Sequence, residues 1–250
     1  MTEEFKVYVV NLKKDKNRRK NIIEELVKQN IKNYEIVDAI DGNKLNKNKL
    51  NLVTFKDKNH LNPWNSKLSP SQIGCALSHI KIYKKFIVTK FNFALILEDD
   101  AVFLNNFSNN LKNFVLKNFK YEKQIILLSE LKEFYKKPLD TKDGYEIVNV
   151  TNAFFTHAYM INKEAAKSII SFNYPVKTIA DNFVLFKIYC KIKITGLNPF
   201  LLDQDKKKFK SSIYSEEKLK KVFLIKRTIY KIKNKILKKF ISFKSHKNLN

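Results

Sequence analysis

Cysteine is scarce: Cys75 and Cys190 are the two in 250 residues, and they fit neither a CxxC pair nor any Cys/His metal spacing. That excludes a disulfide framework and a cysteine-built zinc module, and both read as buried structural thiols. Arginine is equally thin, with Arg18, Arg19 and Arg227 the three among 49 basic residues, so a net charge of +25 rests almost wholly on lysine. No apolar run approaches the roughly 18 residues of a membrane span. The opening "MTEEFKVYVV" sets acids where a secretory leader carries bases. The expectation is a cytoplasmic protein that does not span the membrane. Internal repeats are also missing.

What is present supports a folded domain. Apolar residues make up 44% and aromatics 13% of the chain, enough for a substantial core in one domain with an appendage. The charge is uneven. Residues 206–250 hold 16 Lys/Arg against Glu216 and Glu217, a net +14, whereas the first 205 residues carry 33 basic against 22 acidic side chains. In that tail Ile225, Ile229, Ile232, Ile236 and Phe240 step by four, three, four and four, one apolar stripe among lysines. A basic amphipathic helix of this kind suits an anionic membrane surface, or packs its stripe on the main domain or a partner.

The chain opens as β-α-β: "FKVYVVNL" at 5–12, a helix with Ile22, Ile23, Leu26 and Val27 on one face, and "YEIVDAIDG" at 34–42. The polar stretch 43–70 reads as a loop. A core-facing helix follows, capped by Ser69 or Ser71, with Ile73, Ala76, Leu77, Ile80 and Tyr83 inward. After it come the strand "FNFALILEDDAVF", a helix near 107–119, the strand "QIILLS", a hairpin around Gly144, and "HAYMI" feeding "NKEAAKSII". The fold class expected is α/β with a mainly parallel sheet.

The strand at 93–98 ends in Glu98, Asp99 and Asp100. Ligands of open α/β sheets bind at the carboxyl ends of strands. Strand alternation points Glu98 and Asp100 one way and Asp99 the other. Two carboxylates on one rim repel unless a proton or a cation intervenes, and Mg²⁺ or Mn²⁺ with phosphate oxygens resolves the conflict. The plainer reading is an acidic turn that caps the next element.

"VYVVNLKKDKNRR", "DAIDG", "LSPSQIGCALSHIKIYKKF", "ALILEDDAVF", "HAYMINKEAAKSII", "ADNFVL" and "NPFLLDQDKKKFKSSI", in this order, resemble glycosyltransferase family 25, the bacterial lipooligosaccharide galactosyltransferases. The resemblance spans residues 5–214. It implies a GT-A type nucleotide-sugar fold over 1–214, with 215–250 as the basic amphipathic tail. It also implies inverting transfer of galactose from UDP-galactose to a saccharide acceptor, with Mn²⁺ or Mg²⁺. The acidic triplet then corresponds to the family's DXD motif, with Asp100 as direct metal ligand, Glu98 as companion near ribose or metal, and Asp99 beside them.

Asn11, Leu12 and Arg18 would cradle the uridine, or Arg18 and Arg19 would sit on a solvated helix face. Asp38 and Asp41 would meet the nucleotide, or form a plain turn. Ser78 and His79 match the family's Ser-His pair and are either substrate contacts or structural. Asp181 is either a helix cap or the base that takes the acceptor's proton. Pro199, Gln204, Ser211 and Ser212 match the closing motif. Two departures stand out: Ser71-Gln72 replaces the family's Gly-Glu, and Phe155-Thr156 replaces its glycine before "HAY".

The partners expected are UDP-galactose, a lipid-linked glycan acceptor and the inner face of the cytoplasmic membrane, where the protein would be peripheral. Rival readings are the same fold using UDP-glucose or a UDP-N-acetylhexosamine, a non-catalytic scaffold, and a basic nucleic-acid-binding protein. The last lacks any recognisable motif, and its charge is confined to one end.

Overall fold

A computed structural model describes residues 5–54, 67–104, 107–152 and 157–205. The amphipathic tail, Ser211, Ser212 and Phe155-Thr156 lie outside the described residues. Strands β1 (Phe5–Asn11) and β2 (Tyr34–Asp38) flank helix α1 (Lys16–Lys28), the predicted β-α-β unit. Helix α2 (Lys47–Val53) follows, then α3 (Pro70–Ile87), β3 (Phe93–Glu98), β4 (Ala101–Phe103) and a short α4 (Phe107–Asn110) that continues as irregular helical turns to Asn118. Next come β5 (Gln124–Leu127), β6 (Glu133–Phe134), β7 (Asp140–Lys142), β8 (Tyr145–Asn152) and β9 (Ala158–Asn162). The series closes with α5 (Lys163–Asn173), α6 (Phe183–Tyr189), β10 (Lys193–Asn198) and β11 (Leu202–Gln204).

The main sheet runs β2-β1-β3-β9-β5-β10-β8-β6, with β7 on β8. Pairings β1–β2, β1–β3 and β5–β10 are parallel, so five of the six strands from β2 to β10 share one direction. β9 is the exception, antiparallel to both β3 and β5. The mainly parallel α/β expectation holds, and β9 is a strand that hydrophobicity alone could not orient, because a strand buried on both faces reads the same either way.

Alternation sorts the core. Val7, Val9, Leu95 and Leu97 pack on one face with Ile22 and Leu26 of α1, whereas Tyr8, Ala94 and Ile96 pack on the other with Tyr83 and Phe86 of α3. Val27 departs from the expected apolar face of α1 and is 66% exposed. The polar stretch expected as a loop carries a short 3₁₀ turn and α2, which the Asn46 side chain caps by accepting from the Lys49 N–H at 2.9 Å. Ser69, not Ser71, caps α3. The predicted hairpin turns through Asp143 and Gly144, both at positive φ (50° and 80°), the pairing expected of a tight Asp-Gly turn.

Candidate active site at the ends of strands β1 and β3

Because β1 and β3 are parallel neighbours with Val10 opposite Glu98, their carboxyl ends open together. Asn11 stands at one end and the acidic triplet at the other. Odd-numbered Asp99 turns toward α1. Its carboxylate accepts from Asn11 Nδ2 at 2.7 Å and from Arg18 at 2.6 Å. The same guanidinium reaches Asp100 Oδ2 at 3.1 Å, which also accepts from Gln204 Nε2 at 2.9 Å. Asp99 and Asp100 are nearly inaccessible, at 6% and 2% exposure. Burial pushes the Asp99 carboxyl up, against the hydrogen bonds from Arg18 and Asn11 that pull it down.

This corrects the expectation that Asp100 points with Glu98. The strand stops at Glu98, and residues 99 and 100 form a turn into β4, so alternation no longer governs Asp100. The turn is held on its far side by β11, which pairs with β4 and places Gln204 opposite Ala101. One oxygen of Asp100, Oδ1, and the Asn11 Oδ1 are buried with no partner among the described residues. Even-numbered Glu98 keeps the parity of Ala94 and Ile96 and faces α3.

Helix α3 contributes the opposite wall. Its first turn is closed by a capping box, in which Ser69 Oγ accepts from the Gln72 N–H at 3.3 Å and Gln72 Oε1 accepts from the Ser69 N–H at 2.9 Å. Gln72, which stands where the family has Glu, therefore serves the helix terminus, and an amide does that as well as a carboxylate. Further along, Gly74 lets the loop after β2 press onto the helix backbone: a Cβ there would lie 2.4 Å from the Ile40 carbonyl oxygen. Ser78 Oγ fastens the same loop, accepting from the Ile40 N–H at 2.8 Å and donating to the Gly74 carbonyl at 2.7 Å. Both bonds are to backbone, so Ser78 is a structural clamp on the wall of the cleft.

His79 is 1% exposed, and its Nδ1 lies 2.8 Å from the Tyr159 hydroxyl. Burial lowers its pKa to about 4, so the ring is neutral near pH 7. Its Nε2 is buried without a partner among the described residues. Cys75 lies one turn earlier on α3 and lines the cleft. Its thiol is held well above the usual range, by burial first and then by the charges of Glu98 and Asp181. Asp181, which precedes α6, is not part of the cleft lining.

The cleft between these walls is lined by Leu12, Lys14, Arg18, Asp41, Glu98 and Asp99 among others. Lys14 Nζ meets Asp41 Oδ2 at 3.0 Å across its mouth, and the Lys14 hydrogen bond lowers the Asp41 carboxyl. Of the residues singled out from sequence, Asn11, Leu12, Arg18, Ser78, His79, Glu98, Asp99, Asp100 and Gln204 gather around the joined strand ends. Asp38 does not join them: its half-exposed carboxylate pairs with Arg19 at 3.4 Å and it is not part of the lining. Asp181 is not the helix cap. Asn182 fills that place, accepting from the Leu185 N–H. Sequence reasoning missed Lys14, Asn43 and Cys75, which also line the cleft. Cys75 was expected as a buried structural thiol, whereas it is only partly buried and lines the cleft. Cys190, by contrast, is the buried structural thiol expected, its Sγ 3.7 Å from the Ser168 carbonyl.

Residues 4–184 match glycosyltransferase family 25, described as an LPS biosynthesis protein. Procollagen galactosyltransferase 2 of Homo sapiens is 25% identical over 208 residues, covering 81% of this chain and 33% of that protein. A putative glycosyltransferase of Haemophilus influenzae is 28% identical over 207 residues, covering 79% of this chain and 70% of its own. Among solved structures, a Drosophila beta-1,4-galactosyltransferase 7 mutant in complex with manganese, UDP-Gal and xylobiose is similar at a TM-score of 0.41 and 8% identity, over 88% of this chain and 79% of that one. The chain spans a third or less of the length of the procollagen-type relatives it matches.

Proposed function

Since the chain belongs to glycosyltransferase family 25, we propose that it is a metal-dependent, inverting galactosyltransferase that draws on UDP-galactose and extends a lipooligosaccharide or related glycan. The observation that carries this reading is the acidic turn at the joined ends of β1 and β3. There two buried carboxylates share one guanidinium, and Asp100 Oδ1 has no hydrogen-bond partner among the described residues. A hard cation fits that oxygen, because it supplies the missing partner and a second positive charge. Mn²⁺ or Mg²⁺ bound there through Asp100 would neutralise the departing diphosphate.

The remaining roles belong to the chain's own side chains. Arg18 and Lys14 flank the cleft with fixed positive charge, and Asn11 and Leu12 border the place for the nucleotide. Gln204 holds Asp100 in position from β11. Asp181, whose charge helps to raise the Cys75 thiol, takes the proton from the acceptor hydroxyl as that oxygen attacks the anomeric carbon. Inversion requires the base and the diphosphate on opposite faces of the sugar, so Asp181 would have to approach from the side away from the acidic turn. The basic tail would hold the enzyme at an anionic membrane surface, where each lysine contributes on the order of 1 kcal/mol, close to a lipid-linked acceptor.

The test of donor and stereochemistry is a panel of UDP-galactose, UDP-glucose and UDP-N-acetylhexosamines with a lactose-type acceptor, followed by NMR of the product. Transfer from UDP-galactose giving a β-linked product is expected. An α-linked product would remove the inverting assignment, and preference for another donor would move the enzyme to that sugar.

A further inference from the structure

Cys75, His79 and Glu98 form a second cluster, on the α3 side of the cleft, and neither Cys75 nor His79 has a part in the proposed transfer. Cys75 and His79 are four residues apart on α3 and so share a face. Glu98 reaches the same place from β3 because its parity points it at that helix. One donor atom from each side chain, a thiol sulfur, a ring nitrogen and a carboxylate oxygen, lies within 4.8 Å of the other two. We propose that these three side chains bind a thiophilic divalent cation of the Zn²⁺ class, on the wall of the donor cleft and apart from the Asp99–Asp100 turn.

The second observation pointing to a ligand is His79 itself. Its ring is 1% exposed, and Nε2 has no partner among the described residues. The other nitrogen, Nδ1, is fixed on the Tyr159 hydroxyl at 2.8 Å, which in turn meets the Tyr83 hydroxyl at 2.5 Å. A hydrogen bond on the far nitrogen is how proteins orient a ligating imidazole and hold its tautomer. Here it leaves Nε2 as the nitrogen free to coordinate.

The donor set selects the metal. A sulfur, a nitrogen and one oxygen suit Zn²⁺ or Co²⁺, whereas Mg²⁺ and Mn²⁺ favour oxygens. Tetrahedral ligation brings donor atoms to roughly 3.5 Å of one another, so binding would draw together atoms that already lie within 4.8 Å. Three protein ligands leave one position open. Cys75 and Glu98 both line the cleft, so that position faces it and takes a water or an oxygen of a bound ligand. On binding, the Cys75 S–H bond breaks, its proton passes to solvent, and the thiolate pair forms the metal–sulfur bond.

The experiment uses the full chain, freed of metal by chelator and titrated with Co²⁺ in the absence of any nucleotide sugar. One equivalent should bind with a near-ultraviolet thiolate-to-Co²⁺ charge-transfer band, be displaced by one equivalent of Zn²⁺, and release one proton. The band should vanish in Cys75→Ser and persist in Cys190→Ser. His79→Gln, a second and independent variant, should weaken Co²⁺ binding at least tenfold, with circular dichroism confirming that each variant is folded. Absence of the band in the parent protein, or its survival in Cys75→Ser, overturns the proposal. Because the readout involves no donor or acceptor, it stands or falls separately from galactosyl transfer.

Discussion

Arg18 donates to two carboxylates at once, 2.6 Å from Asp99 and 3.1 Å from Asp100, with its side chain only 13% exposed. Removing it leaves both acids buried with one cation fewer. Arg18→Ala is therefore expected to destabilise the fold by about 3–5 kcal/mol, the usual cost of breaking a buried pair, measured by urea unfolding. Arg18→Lys should recover part of that loss, because an ammonium keeps the charge but not the planar fork. His79 gives a pH signature. The unfolded ring binds a proton as pH falls through 6.5, whereas the folded ring refuses one down to about 4. Its contribution is thus complete above pH 6.5 and lost progressively between 6.5 and 4, by about 3 kcal/mol in all. In chelator, unfolding midpoints across that window should fall more steeply for the parent protein than for His79→Gln. At this scale the sequence exposed residue types and their order but not directions. Asp99 was expected to point away from the metal-binding pair, whereas Asp99 and Asp100 share Arg18, because a turn begins where the alternation rule ends.

Elements were easier to read than their orientation. The β-α-β opening, α3 with its five inward residues, and the Asp-Gly hairpin all follow from local pattern. The antiparallel setting of β9 depends on which neighbours it meets, and α2 depends on the Asn46 cap outweighing a polar composition. The packing of α3 on the loop after β2 is a tertiary fact hidden in two glycines. A Cβ on Gly42 would lie 1.6 Å from the Pro70 carbonyl oxygen, and one on Gly74 would lie 2.5 Å from the Gly42 nitrogen. Glycine to alanine in a helix normally stabilises by up to about 1 kcal/mol. Gly74→Ala should instead destabilise by about 1–3 kcal/mol through overpacking, and a thermal unfolding midpoint above that of the parent protein would refute the contact. Gln72→Glu should leave that midpoint nearly unchanged, since either side chain completes the capping box.

Across the whole molecule, a strongly basic chain keeps two acids buried in one turn, where Arg18 is the cation that meets both. More than half of the net charge lies in residues 206–250, beyond the acidic turn in sequence. If the tail serves the membrane and not the chemistry, a chain shortened to residues 1–214 keeps transfer to a soluble acceptor and loses sedimentation with phosphatidylserine vesicles. Among the described residues, no helix is long and apolar enough to cross a membrane. If the Asp99–Asp100 turn holds the cation and diphosphate of a UDP-sugar, UDP release from UDP-galactose with acceptor should show it, measured in Mn²⁺ and then in chelator for the parent protein and Asp100→Ala. Release that requires Mn²⁺ and falls at least a hundredfold in a folded Asp100→Ala variant is the predicted result. Undiminished release in chelator, or from Asp100→Ala, would contradict it.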